Sequence, residues 1–167
     1  VWRQEGHGLW GTTTRRERLA ELAELVDSPV VFDSTDSRTS LSFTEDLDGI
    51  LVSFAPSKGS QVDVNQYRET FLGGIQVLAD ALSRRSSDAP LQLVHLSSCG
   101  VYGNRHGALT DETAQLDTLH PVNEVLAKAE EMIQSVRSDK VSVCVLRLGG
   151  IYGPGRDIPG MLLSAAG

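Results

Sequence analysis

A chain of 167 residues with 40% hydrophobic and 22% charged side chains carries enough apolar material for one domain around one core. Its formal net charge of −7 argues against nucleic-acid or anionic-membrane partners, both of which need a basic face. No apolar run approaches the roughly 20 residues of a membrane span, and the first residues do not read as a signal peptide. The two cysteines, Cys99 and Cys144, lie in or beside apolar runs and are expected to be buried, reduced thiols, as in a cytoplasmic protein.

Trp2 to Glu5, stopped by Gly6, read as a last helical turn, and Leu9-Trp10-Gly11-Thr12-Thr13 as a short strand. Thr14 is placed to cap a helix over 15–26, whose Leu19, Leu22, Leu25 and Val26 share a face. Pro29 ends that segment, and Val30-Val31-Phe32 is a strand leading into Asp33 and Ser34. After a polar loop, Ile50-Leu51-Val52-Ser53-Phe54 is an unbroken apolar strand, the pattern of a strand covered on both faces. Beyond Ala55-Pro56, the three-or-four spacing of Val64, Tyr67, Phe71, Ile75, Leu78 and Leu82 predicts a long amphipathic helix.

Leu91-Gln92-Leu93-Val94-His95-Leu96 is a core strand that ends in two hydroxyls, Ser97 and Ser98, so it delivers polar groups to the carboxyl edge of a sheet. His95 is expected to be a hydrogen-bonded core residue; His7, His95, His106 and His120 show no metal-ligand spacing. A polar loop runs to about His120, followed by a helix marked by Val122, Val125, Leu126, Ala129, Met132, Ile133 and Val136. A last strand over 141–146 runs on into Arg147. Strand and helix in regular alternation predict an α/β fold, a doubly wound parallel sheet between two helical layers.

With these elements placed, three landmarks stand in a telling order: Ser97-Ser98-Cys99-Gly100-Val101-Tyr102-Gly103, then Lys128 within Leu126-Ala127-Lys128-Ala129-Glu130, then Leu146-Arg147-Leu148 through Ile151-Tyr152-Gly153-Pro154-Gly155-Arg156. Together they resemble the extended and atypical short-chain dehydrogenase/reductases of the NAD-dependent epimerase/dehydratase family. The resemblance spans essentially the whole chain. It implies a Rossmann-like fold over 1–157, with 158–167 starting a substrate-binding part that continues past the chain. It also implies a nicotinamide cofactor and a small-molecule substrate such as a nucleotide sugar. By that resemblance Ser98 is the catalytic hydroxyl, stabilising charge on the reacting oxygen, and Lys128 holds the nicotinamide ribose.

Two departures bear on chemistry. Where the resemblance expects a tyrosine one helical turn before Lys128, this chain has Glu124, a carboxylate with a reference pKa of about 4.3 and no proton to donate; an ion pair between Glu124 and Lys128 is the plain expectation. The glycine fingerprint that should follow a first strand is also missing: Gly6-His7-Gly8-Leu9-Trp10-Gly11 precedes a strand instead of opening a helix. The chain therefore reads as a fragment lacking its central first strand, which parts 9–13 and 30–32 from 50–54 and exposes two inner sheet edges. Such a chain is expected to be poorly stable alone, at a cost on the order of 10 kcal/mol of buried side chains, and to hold cofactor too weakly for calorimetry.

The remaining cofactor contacts come from the same resemblance. Thr13 ends the strand that discriminates NAD from NADP. With Thr14, Arg15 and Arg16 following and no carboxylate before Glu17, NADP is favoured, NAD remaining open. Asp33 and Ser34 would meet adenine, Phe54, Ala55 and Pro56 the ribose side, and Leu148 and Gly149 the nicotinamide. Cys99, Tyr102, Gly150 and Arg156 would face the substrate.

Overall fold

The computed structural model describes residues 2–33, 41–55 and 63–154, with 157, 160 and 163. Ser34, Pro56 and Arg156 lie outside the described residues. Five strands are present among the described residues: β1 Trp10–Thr13, β2 Ser28–Val31, β3 Gly49–Val52, β4 Leu91–Ser98 and β5 Val141–Leu148. The helices are α1 Leu19–Ala23, α2 Val64–Tyr67, α3 Gly74–Ser83 and α4 Pro121–Ser135. All strand pairs are parallel, in two separate sheets ordered β1-β2 and β3-β4-β5. This is a Rossmann-like arrangement of parallel strands joined by helical crossovers.

The split leaves β1 with one partner and β3 with one partner, so each has an unpaired ladder edge among the described residues. Two aromatic stacks tie the sheets together instead. Trp10 of β1 stacks on Phe43 with centroids 4.7 Å apart, and Phe32, just past β2, stacks on Phe54, just past β3, at 5.8 Å. Pro29 sits inside β2, not before it, in register with Gly11. With no partner on its other side among the described residues, β2 is an edge strand, where a missing N–H is tolerated.

The core lies on one face of β3-β4-β5. Leu91, Leu93, Val141 and Val143 pack there against Ile75, Leu78 and Leu82 of α3 and Val125, Ala129 and Ile133 of α4. β4 alternates buried and less buried residues along its whole length because only this face is sealed. The opposite face is open: Leu51 is 50% exposed and Leu146 42%. The expectation that β3 is covered on both faces is therefore corrected, and so is that of buried thiols. Cys99 and Cys144 are both free and exposed, Cys144 because it points from β5 to the open face. A continuous apolar run identifies a parallel strand but does not say what lies over its second face.

Two local readings also change. Thr14 caps nothing: the 3-10 turn Arg16–Arg18 that leads into α1 has Arg15 as its N-cap, without a side-chain bond, and it is Thr13 Oγ1 that accepts from the Arg15 N–H at 3.2 Å. The long helix predicted from Val64 to Leu82 contains a π-helical stretch, Arg68–Gly73, between α2 and α3. Immediately after it, Gly74 lets the helix ride directly on Phe54; a Cβ there would stand 2.7 Å from the ring.

Candidate functional site

Within each sheet the strands run the same way, and the Phe32–Phe54 stack joins the carboxyl ends of β2 and β3, so the predicted ligand residues can be followed along these strand ends. Ser98 ends β4 in register with Leu148, which ends β5 and leads into Gly149 and Gly150. Thr13 ends β1 opposite Val31, and Phe32 donates its N–H to the Thr13 carbonyl at 2.9 Å, so Thr13 and Asp33 belong to one corner. Phe54 and Ala55 follow β3, and the Phe32–Phe54 stack brings that strand end to the same corner. Thr14, Arg15 and Arg16 are exposed beyond β1.

Ser98 is half-buried and extended, at φ −127° and ψ 139°, and serves as N-cap of the 3-10 turn Cys99–Tyr102. Its Oγ accepts the Gly100 N–H at 3.1 Å. That use leaves the hydroxyl proton free to donate to a ligand. The turn closes on Gly103, whose φ of +65° and tight approach to Asp117 admit only glycine comfortably. Asp117 in turn donates its N–H to the Val101 carbonyl at 2.8 Å, pinning the following loop to the turn. Beside it, a cleft of about 410 Å³ is lined by Tyr102, Asn104, Arg105, Gln115, Leu116 and Asp117, among others. A second cleft, of about 360 Å³, lies at the amino ends of the strands, around Asp48, Leu91 and Lys140, on the wrong side for these residues.

The helix side of the site differs from expectation. Lys128 is exposed, and Glu124 pairs not with Lys128 but with Arg68, at 3.3 Å. Helical phase explains this. Glu130 is the α4 residue that meets the end of β4, and Lys128, two residues earlier at about 100° per residue, points to the opposite side. One turn before Glu130 stands Leu126 and one turn earlier Val122, both apolar. The structure thus brings Ser98, Leu148 and Gly149 together and leaves Lys128 and Glu124 on other faces of α4.

What sequence reasoning missed is the charge cluster under Ser98. Glu130, 5% exposed, accepts from Ser97 Oγ at 2.5 Å and from Arg147 Nε and Nη2 at 3.1 and 2.8 Å. The Nη1 of Arg147 donates to the Tyr102 hydroxyl at 2.7 Å and to the Glu112 carbonyl at 3.2 Å, and the guanidinium lies over the Tyr102 ring, 5.0 Å from its centroid. The Glu130 hydrogen bonds hold Arg147 still more firmly in its charged form. The signal was present: Glu130 falls four residues after Leu126, on the apolar face of its helix.

Above Glu130 lies His95, fully buried. Among the described residues neither ring nitrogen has a hydrogen-bond partner, which corrects the expectation of a bonded core histidine. Burial pushes its pKa below the ordinary imidazole value, opposed only in part by Glu130. Among the described residues no three His, Cys, Asp or Glu side chains are grouped to hold a metal, and no helix is long and apolar enough to cross a membrane.

Two parallel sheets flanked by helices, with Ser98 ending β4 and Asp33 and exposed arginines following β2 and β1, define the class: a Rossmann-like fold. The family follows from the sequence. A model of the NAD dependent epimerase/dehydratase family matches residues 1–166, and the chain belongs to that family. No curated protein sequence matches it. Among solved structures, MoeE5 in complex with UDP-glucuronic acid and NAD is similar at 21% identity and a TM-score of 0.71, over 98% of this chain and 53% of that one. UDP-glucuronic acid 4-epimerase from Bacillus cereus in complex with NAD is similar at 24% identity and 0.62, over 84% and 45%. A short-chain dehydrogenase/reductase from Vibrio parahaemolyticus is similar at 15% identity and 0.63, over 99% and 84%. These likenesses speak for the fold; the chain spans about half the length of the two nucleotide-sugar-bound or epimerase structures.

Proposed function

We propose that the chain forms the nicotinamide-dinucleotide-binding domain of an epimerase/dehydratase-type oxidoreductase that handles a nucleotide sugar or a related carbonyl compound. The observation that carries this is Ser98, whose spare hydroxyl proton stands at the carboxyl end of β4 beside Leu148 and Gly149. Its hydroxyl would donate to a carbonyl or alkoxide oxygen and stabilise the developing charge. When bound, the dinucleotide supplies hydride transfer. The nicotinamide end would lie along Leu148 and Gly149 and the adenine end near Thr13, Asp33 and Phe54, with Cys99, Tyr102 and Gly150 toward the substrate. The residues fit both ends of a dinucleotide better than its middle, since no helix of the described residues opens on a glycine-rich phosphate loop. Exposed Arg15 and Arg16 after Thr13 favour NADP, whereas the similar solved structures carry NAD. MoeE5 with UDP-glucuronic acid supports the nucleotide-sugar class.

A second reading, binding without turnover, is favoured by the same helix. The α4 positions one and two turns before Glu130 are Leu126 and Val122, neither of which has a proton to donate, while Glu124 is engaged by Arg68. Absorbance assays of NADPH and NADH oxidation against UDP-sugars and simple carbonyl compounds separate the two. Turnover abolished by Ser98→Ala supports the first reading. Ligand-dependent protection of the strand ends with no oxidation supports the second.

A further inference from the structure

We propose that His95 and Glu130 form a proton-operated latch on the turn and loop that follow Ser98. Glu130 is the hub. Its carboxylate joins Ser97 of β4 to Arg147 of β5, and Arg147 passes the connection to Tyr102, at the end of the Cys99–Tyr102 turn, and to the backbone of Glu112. His95 lies two residues before Ser97 on the same buried face of β4, flanked in register by Val52 and Val145. Among the described residues Glu130, from α4, is the charged group that acts on it, and Arg147 reaches it through Glu130. Among the described residues neither imidazole nitrogen has a hydrogen-bond partner.

An orphaned, fully buried imidazole beside a carboxylate that is already shared three ways has one evident use. Neutral, it leaves Glu130 to Ser97 and Arg147, and the turn is held. A proton taken from solvent makes both ring nitrogens donors in a site where Glu130 is the charged acceptor that acts on them. The carboxylate cannot serve His95 and the Arg147 fork equally, so Arg147 loses part of its anchor, and with it Tyr102 and Glu112 loosen. Burial disfavours the charged imidazole, which keeps the latch closed at neutral pH and places its opening below the ordinary imidazole range. The turn and loop so released line the cleft of about 410 Å³ around Tyr102, Arg105 and Asp117. The latch does not depend on which ligand that cleft takes.

Hydrogen exchange read by mass spectrometry on the full chain tests it, at about pH 7.5 and about pH 5.5 with labelling times scaled for intrinsic exchange. Acid is expected to speed exchange over 99–119 by roughly tenfold while 91–94 stays protected. His95→Gln, which stays neutral, should keep 99–119 slow at both pH values, and Glu130→Gln should make it fast at both. An unchanged acid response in His95→Gln, or acid loosening that includes 91–94 equally, overturns the latch. Should His95→Gln fail to fold, Glu130→Gln decides: exchange independent of pH supports the latch, and a retained acid response overturns it.

Discussion

Replacing Arg147 with leucine tests the hub beneath Ser98 most severely. The substitution keeps the apolar stem but strips Glu130, 5% exposed, of the guanidinium that donates to it through Nε and Nη2, leaving Ser97 as its hydrogen-bond partner among the described residues. Breaking one side of a buried ion pair costs about 3–5 kcal/mol, because a carboxylate is left in a poorly solvated site. With a urea slope of about 2 kcal/mol/M for a domain of this size, the midpoint should fall by about 1.5–2.5 M. Against a net stability of about 5–15 kcal/mol, that is a large share of the whole. The companion is the double variant Arg147→Leu with Glu130→Leu. Removing both charges removes the desolvated orphan, so the double variant should recover most of the loss. Urea melts followed by far-UV circular dichroism read both. An Arg147→Leu midpoint within about 0.3 M of the parent, or a double variant worse than the single by the full cost of a second deletion, would refute the view that Glu130 is a charged hub.

Other outcomes follow from individual contacts. His95 has a lowered pKa in the fold, so below the ordinary imidazole value of about 6.5 the unfolded chain binds more protons than the native one. Stability should therefore fall as pH drops through that value, and His95→Gln should flatten this limb of a pH series of urea melts. Gly103→Ala forces a Cβ onto Asp117 at φ +65°, and thermal melts should show a loss of about 1–3 kcal/mol. Ser98→Ala removes the cap on the Gly100 N–H and should cost about 1 kcal/mol, while Lys128→Ala, on an exposed face, should stay within about 0.5 kcal/mol.

The parts of the fold set by local periodicity were readable in advance. The apolar run that became β4 and the face formed by Val125, Leu126, Ala129 and Ile133 mark a core strand and the helix that covers it, and the structure has both. What a strand pattern does not carry is the neighbour on its far side. Leu51 and Cys144 look like core residues until the open face of β3-β4-β5 is seen. The position of Ser98 and Leu148 at the carboxyl ends of paired strands was legible, because backbone direction alone decides it. What side-chain phase decides was not: Lys128 was read from its place in a motif, yet it stands on the opposite side of α4 from Glu130. Glu130 itself, on the apolar face, was the residue whose burial the helical spacing implied. The π-helical stretch at Arg68–Gly73 had no apolar-period signature, because Phe71 and Ile75 keep the spacing of an ordinary helix.

The central claim is that a nicotinamide dinucleotide lies along the carboxyl ends of these parallel strands. Backbone-assigned NMR of the full chain, titrated with NADPH and NADH to millimolar concentration, tests it even where affinity is too weak for calorimetry. Shifts should cluster at Thr13, Asp33, Phe54, Ser98, Leu148 and Gly149, with NADPH adding Arg15 and Arg16, and Lys128 should stay still. Shifts confined to the opposite strand ends around Asp48, Leu91 and Lys140, or none at saturating cofactor, would contradict the account.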